Sequence, residues 1–207
     1  MEQKTLLNKT FGCVRFAYNW GLNEKTKAYQ TDKRKISCFE LINRITLLKK
    51  QDEFVWLNEI HSQPLQMAMR NLDNAFTNFF NKKGAFPNFK KKSNTQSFQY
   101  PQGVKLKDNK VFLPKIGWTH FYKSRECFGK IKTVTVSKTP TNTYFVSILC
   151  ETTLEKPAKR PIEEKTSLGI DIGIKTFAVC SDGQVFENQK YLNKNLKDRD
   201  YLPQTRI

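Results

Sequence analysis

The run Leu168-Gly-Ile-Asp-Ile-Gly-Ile-Lys-Thr-Phe-Ala-Val-Cys-Ser-Asp-Gly183 alternates apolar side chains with glycines and carries one acid inside its first half. It reads as two strands of a hairpin closed by the Asp182-Gly183 turn. Side chains on a strand point alternately to opposite faces, so Ile170, Ile172 and Ile174 are expected to face a core. Gly169, Asp171 and Gly173 then point the other way. Aspartate is disfavoured in strands, and an isolated buried charge is costly without a partner. A carboxylate flanked on its own face by two glycines is open to a metal ion and to a phosphate backbone. The competing reading is an ordinary exposed strand residue beside glycines that mark a bulge.

Upstream, Glu155-Lys-Pro-Ala-Lys-Arg-Pro-Ile-Glu-Glu164 has two prolines and alternating charge, as a linker does. From about Ser97 the chain consists of β-branched and aromatic runs: Ser97–Tyr100, Val104–Leu106, Lys110–Leu113, Lys130–Val136 and Tyr144–Cys150. Asp108-Asn109 and Pro140-Thr141-Asn142 supply turns between them, and the pattern predicts a small antiparallel sheet or barrel. The first ninety residues read as helices. Leu7, Phe11, Val14 and Tyr18 recur on one helical face. Ser37 and Glu40 form a capping box ahead of Leu41, Ile42, Ile45 and Leu48. Pro64 suits a first helical turn entered from Ser62 or Gln63, and Leu65, Met69, Leu72, Phe76 and Phe79 continue an apolar stripe towards Gly84. The expected fold class is α+β.

The chain of 207 residues holds 36 Lys+Arg against 19 Asp+Glu, a formal charge of +17. Residues 1–93 carry +9, residues 94–164 carry +6 and residues 165–207 carry +2, so the excess lies along folded segments and not in a tail. Such a surface is suited to tracking phosphates and argues against an ordinary enzyme of small molecules. No run approaches the roughly 18 apolar residues of a spanning helix, and no signal-peptide pattern opens the chain, so no membrane partner is expected. Cys13, Cys38, Cys127, Cys150 and Cys180 are scattered among apolar neighbours and read as buried thiols of a reducing, cytoplasmic compartment. No pair has zinc-site spacing, and His61 and His120 are far apart, so no zinc element is expected.

Two patches carry candidate contacts. Lys82, Lys83, Lys90, Lys91 and Lys92 are interleaved with Phe79, Phe80, Phe86, Phe89 and Phe98. The lysines are candidates for phosphate contact, and the rings either pack inward or stack on bases. On the third helix, Gln63, Gln66 and Arg70 share the face opposite the apolar stripe. That is either a plain solvated face or a set of side chains able to make bidentate contacts with adenine and guanine edges.

The string GIDIGIKTFAVCSDG resembles the first motif of the RuvC-type, RNase H-like nuclease domain of the TnpB (OrfB) family of transposon-encoded RNA-guided nucleases. Phe11-Gly-Cys-Val-Arg-Phe-Ala-Tyr-Asn-Trp20, Ser62-Gln-Pro-Leu-Gln66, Ala75-Phe-Thr-Asn-Phe-Phe80, Phe86-Pro-Asn-Phe-Lys-Lys-Lys92 and Leu113-Pro-Lys-Ile-Gly117 resemble that family in the same order. The resemblance implies a helical recognition domain over 1–93, a wedge-like β domain over 94–160 and the opening of the nuclease domain over 166–207. It implies DNA and a guide RNA from the transposon end as partners, and Mg²⁺ held by an Asp-Glu-Asp set of which only Asp171 maps here, as catalytic and metal residue. The family continues after Leu196-Lys197 with a Lys/Arg-rich helix, whereas this chain runs Asp198-Arg-Asp-Tyr-Leu-Pro-Gln-Thr-Arg-Ile207. A truncated or frameshifted gene and an inactive fragment are therefore expected. The rival readings are a non-catalytic RNA/DNA-binding regulator and an actin-like ATPase fragment, the latter disfavoured by Lys175 and Phe177 where a phosphate-binding turn needs small residues.

Overall fold

The computed structural model describes residues 2–153 and 163–191. Most of the linker expected over 155–164, and all of the departure after Leu196 with Asp198 and Asp200, lie outside the described residues. The chain divides into two compact units, Met1–Leu154 and Glu155–Ile207.

The first unit opens with α1 (Glu2–Asp32), whose buried face includes Leu7, Phe11, Val14 and Tyr18 at the expected spacing, with Ala17, Gly21 and Leu22. α2 (Cys38–Leu48) starts where the capping box places it, the Ser37 Oγ accepting the Glu40 N–H at 3.1 Å. A 3₁₀ segment, Asp52–Glu59, follows and had no clear signal in the sequence. α3 (Ser62–Phe80) is capped one residue earlier than expected: the His61 Nδ1 accepts the Gln63 N–H. It also stops earlier, because Lys82 adopts a left-handed φ of 56° before Gly84 is reached.

Leu65, Met69 and Leu72 of α3 pack on α1 and α2. The closest approach is at Gly21, where an added Cβ would lie 3.0 Å from both Leu72 Cδ2 and Met69 Sδ. Glycine lets two helix backbones approach at a point where any side chain would overpack a filled core.

Six strands complete this unit: β1 (Gln96–Tyr100), β2 (Lys105–Lys107), β3 (Lys110–Leu113), β4 (Gly117–His120), β5 (Lys130–Lys138) and β6 (Tyr144–Glu151). They form two antiparallel three-stranded sheets, ordered β1-β5-β6 and β2-β3-β4, and no barrel closes. The fold is thus α+β. β4 was not expected, because Gly117-Trp-Thr-His120 is too short to show alternation. The β1-β5-β6 sheet lays Phe98 and Tyr100 into the helical core, Phe98 meeting Phe11 with ring centroids 4.8 Å apart. Tyr100 donates its hydroxyl to Pro114 O at 3.0 Å.

The reading of five buried thiols holds for Cys13 and Cys180 but not for the others. Cys38 is half-buried, and Cys127 and Cys150 form a disulfide. The β5–β6 register sets Cys150 opposite Ile131, just past Cys127, a proximity that spacing along the chain does not reveal.

In the second unit β7 (Ile170–Ile172), β8 (Thr176–Cys180) and β9 (Val185–Glu187) form an antiparallel meander rather than a two-stranded hairpin. The expected core face is not covered. Ile170, Ile172 and Ile174 are 57%, 73% and 91% exposed, since the described residues of this unit supply no second layer over the meander.

One prediction concerns His61. Burial, helped by the charges of Lys115 and Lys49, lowers its pKa, and the Nδ1 that caps α3 accepts a proton-bearing group only when unprotonated. The unfolded chain therefore binds a proton on His61 near the ordinary value of about 6.5 while the folded chain does not. Stability should be full above about pH 7.5 and fall as the pH drops through about 6.5 towards about 5.5, ahead of most carboxylates. Urea midpoints across that range should slope, and the slope should shrink in His61→Asn, which caps without titrating.

Candidate nucleic-acid interface

α3 buries one side and leaves a polar edge on the other. Gln66 and Arg70 are exposed one helical turn apart, and Asn74 and Asn78 continue the same row. Gln63, expected with them, is only half-buried at the helix start, and its Oε1 is enclosed without a hydrogen-bond partner. The edge open to a ligand therefore begins at Gln66. Asn74 and Asn78 were legible as the continuation of the i, i+4 spacing.

The edge connects to a sheet. Asn71 Nδ2 donates to Gln99 Oε1 at 3.3 Å, and Gln99 Nε2 donates to Thr135 Oγ1 at 3.3 Å. This chain of amides and a hydroxyl ties α3 to β1 and β5. The one acid nearby, Asp73, is neutralised by Lys25 Nζ at 2.8 Å. The exposed row itself therefore carries no free negative charge.

The five lysines beyond α3 divide into two kinds. Lys82, Lys83, Lys91 and Lys92 are exposed with no ion-pair partner among the described residues. Lys90 is held: Asn19 bonds both its backbone N–H and its carbonyl, at 2.8 and 3.0 Å, and its Nζ sits 4.3 Å from the Tyr18 ring centroid. Desolvation there lowers its pKa, although the residue is exposed like the other four lysines, so its distinction rests on the Asn19 and Tyr18 contacts. The rings also divide. Phe98 is core, whereas Phe76, Phe79, Phe80 and Phe86 cluster at the end of α3, with Phe80 71% and Phe86 46% exposed. Phe89 is exposed as well.

A groove of about 450 Å³ runs between α1 and the 3₁₀ segment, lined by Lys9, Gly12, Cys13, Arg15, Phe16, Trp56 and Glu59. It has no nucleophile ready for catalysis, because burial pushes the Cys13 thiol up to about 11. Asp171 stands exposed on β7, and its cross-strand neighbours on that face are Val179 and, beyond it, Val185. Asp182 accepts the Gln184 N–H within its own turn. Among the described residues no group of three His, Cys, Asp or Glu side chains converges to hold a metal. Mg²⁺ bound through one carboxylate keeps most of its waters, so Asp171 and its described neighbours do not make up a site for it.

Comparison with known proteins places these features in context. A family model described as a helix-turn-helix domain, HTH_OrfB_IS605, matches residues 1–34. In this chain that segment is the single helix α1 and the two residues after it. The chain is 34% identical over 198 residues to the "Putative RNA-guided DNA endonuclease InsQ" of Escherichia coli (strain K12), covering 95% of this chain and 48% of that protein. A "Putative RNA-guided DNA endonuclease" of Streptomyces pristinaespiralis is 34% identical over 198 residues, 92% of this chain and 48% of its own length. The virulence protein VsdF of Salmonella dublin is 39% identical over 100 residues, 44% of this chain and 84% of that one. The chain thus spans about half the length of the first two relatives. Among the described residues no helix is long and apolar enough to cross a membrane.

The two kinds of lysine should separate by stability. A cation on a ring at an exposed position contributes about 0.5–1 kcal/mol. Lys90→Ala should therefore lower the thermal midpoint by about 1–4 °C, whereas Lys91→Ala and Lys92→Ala should leave it nearly unchanged. Equal midpoints for all three would place Lys90 with the free cations.

Proposed function

The chain belongs to the TnpB (OrfB) family, and from that membership we propose that it is a transposon-encoded protein binding duplex DNA and a guide RNA, linked to transposition and DNA recombination. The observation that carries the reading to particular residues is the acid-free row Gln66, Arg70, Asn74 on α3, followed by the free lysines Lys82, Lys83, Lys91 and Lys92. Amide and guanidinium side chains match the major-groove edges of adenine and guanine, and lysines hold the flanking phosphates. A helix whose opposite side is locked in a core presents such a row with little loss of conformational freedom. In this reading residues 1–93 form the recognition part, 94–160 the wedge-like part and 166–207 the opening of an RNase H-like nuclease domain. Asp171 is then one member of its metal-binding carboxylate set.

Binding should be steeply salt-dependent, each phosphate contact contributing about −0.9 to the log–log slope for duplex DNA. Lys91→Ala with Lys92→Ala should flatten that slope by about two contacts' worth. Gln66→Ala should instead reduce the preference for a target duplex over a scrambled one while leaving non-specific binding nearly intact. Equal losses on both duplexes would assign Gln66 to general affinity.

The isolated chain should not cut DNA. Two-metal phosphodiester cleavage needs several carboxylates converging on ions about 4 Å apart, and Asp171 brings one. The test incubates the purified chain with Mg²⁺ or Mn²⁺, RNA from the transposon end and a matching plasmid. Guided cutting that vanishes in Asp171→Ala would overturn this, and would mean that a second copy or another acid completes the site.

A further inference from the structure

The sheet β2-β3-β4 has two faces of opposite character. Leu106, Val111, Leu113 and Thr119 lie on the inner side, with Val111 and Leu113 fully in the core. The pairing register sets Lys105 beside Phe112 and Phe112 beside Trp118, and sets Lys107 beside Lys110 and Lys110 beside His120. Every side chain on the outer face is therefore either basic or aromatic. No carboxylate, amide or hydroxyl is among them.

Several features separate this face from an ordinary solvated one. Trp118 is 42% exposed, and Phe112 lies against it with ring centroids 5.5 Å apart, an aromatic pair left open to solvent. Isolated exposed apolar residues are common, but an open Trp–Phe pair beside unpaired lysines is not explained by solubility. Lys105, Lys107 and Lys110 have no ion-pair partner among the described residues, so their charge is not used internally. The platform is also held firm. Gln3 Nε2 donates to the Trp118 carbonyl at 2.7 Å, and Phe121 N–H bonds Asn109 O at 2.9 Å beyond the end of β4.

We propose that the outer face of β2-β3-β4 binds single-stranded nucleic acid, with a base stacked on Trp118 and Phe112 and the adjoining phosphates on Lys105, Lys107 and Lys110. Bases exposed in a single strand offer flat π faces to such rings, whereas a duplex keeps its bases stacked on one another. Alternate residues on a strand stand about 7 Å apart, roughly one stretched nucleotide step. The occupant is thus an unpaired strand and not a duplex or an acidic protein, whose side chains would leave the rings without a flat partner. The face binds through ring stacking and lysine–phosphate contact, neither of which depends on the sugar. It should therefore bind ribose and deoxyribose strands alike. The inference rests on the nucleic-acid reading above for its class of ligand and assigns the site, separate from the α3 row, that takes the unpaired part.

The experiment uses the full 207-residue chain, with labelled oligo-dT, oligo-rU and an unrelated duplex in fluorescence anisotropy at one fixed salt concentration. Trp118→Ala should weaken both oligonucleotides about tenfold and change duplex affinity by less than about twofold. Trp118→Phe should restore most of the single-strand affinity, since stacking survives. Gln at Lys105, Lys107 and Lys110 together changes only exposed side chains and should weaken single-strand binding and flatten its salt dependence. Circular dichroism establishes that each variant is folded, and the triple Gln variant keeps the test decisive if Trp118→Ala is not. Single-strand affinity unchanged in the folded variants would overturn the proposal while leaving the duplex reading intact, as would an equal loss on duplex. A wild-type chain that binds neither oligonucleotide nor duplex would overturn both readings. A large preference for oligo-rU over oligo-dT would overturn the claim that the face is blind to the sugar.

Discussion

The first unit depends on the close packing of α1 against α3 at Gly21. With no Cβ there, Leu72 and Met69 of α3 fill the space that a side chain on α1 would occupy. Both are fully buried, so a larger residue would meet a filled core and not a yielding rim; overpacking of that sort typically costs about 1–3 kcal/mol. The contact sets the rotation of α3 about its own axis. Once Leu65, Met69 and Leu72 point inward, Gln66, Arg70 and Asn74 have to point outward. The orientation of the polar row is therefore a consequence of hydrophobic packing, and β1 reinforces it by inserting Phe98 against Phe11 on the same core.

Charge is used in two ways on this scaffold. Where a cation supports the fold it is paired or docked: Lys25 on Asp73, Arg44 between Glu24 and Glu40, Lys90 on Tyr18. Among those without an ion pair, Arg70 lies in the amide row of α3, and Lys105 and Lys110 lie beside the rings of the β2-β3-β4 sheet. The chain has 36 basic residues against 19 acids, and the one acid on α3, Asp73, is paired with Lys25, so the net charge around the row is positive. The exposed ion pairs themselves contribute little to stability, on the order of 0–1 kcal/mol each. Their effect here is to leave the open lysines without competitors.

Much of the helical half was legible in advance. The stripe from Leu7 to Tyr18, the Ser37–Glu40 box and the stripe from Leu65 to Phe79 are local patterns, and local hydrogen bonding and periodicity are enough to define them. Seven of the nine strands among the described residues were legible for the same reason, β7 and β8 as the two strands of the run 168–183. The elements that escaped were short or irregular: the 3₁₀ segment at Asp52–Glu59, β4 and β9. None of them carries a clear periodic apolar run bounded by turn residues, which is the signal that marked the others.

By itself the sequence determined the α+β class, the positive balance, the faces of α1 and α3 and the strand that carries Asp171, because all of these follow from composition or from spacing within one element. Only the tertiary structure decided which candidates are free. It enclosed Gln63, drew Lys90 onto Tyr18, joined Cys127 to Cys150, left Ile170 and Ile172 uncovered, and gathered Lys105, Lys107, Lys110, Phe112, Trp118 and His120 onto one face. Those outcomes depend on pairing register and on packing between elements distant along the chain. Periodicity within a segment says which side of it is apolar, but the partner that covers or exposes that side comes from elsewhere in the fold.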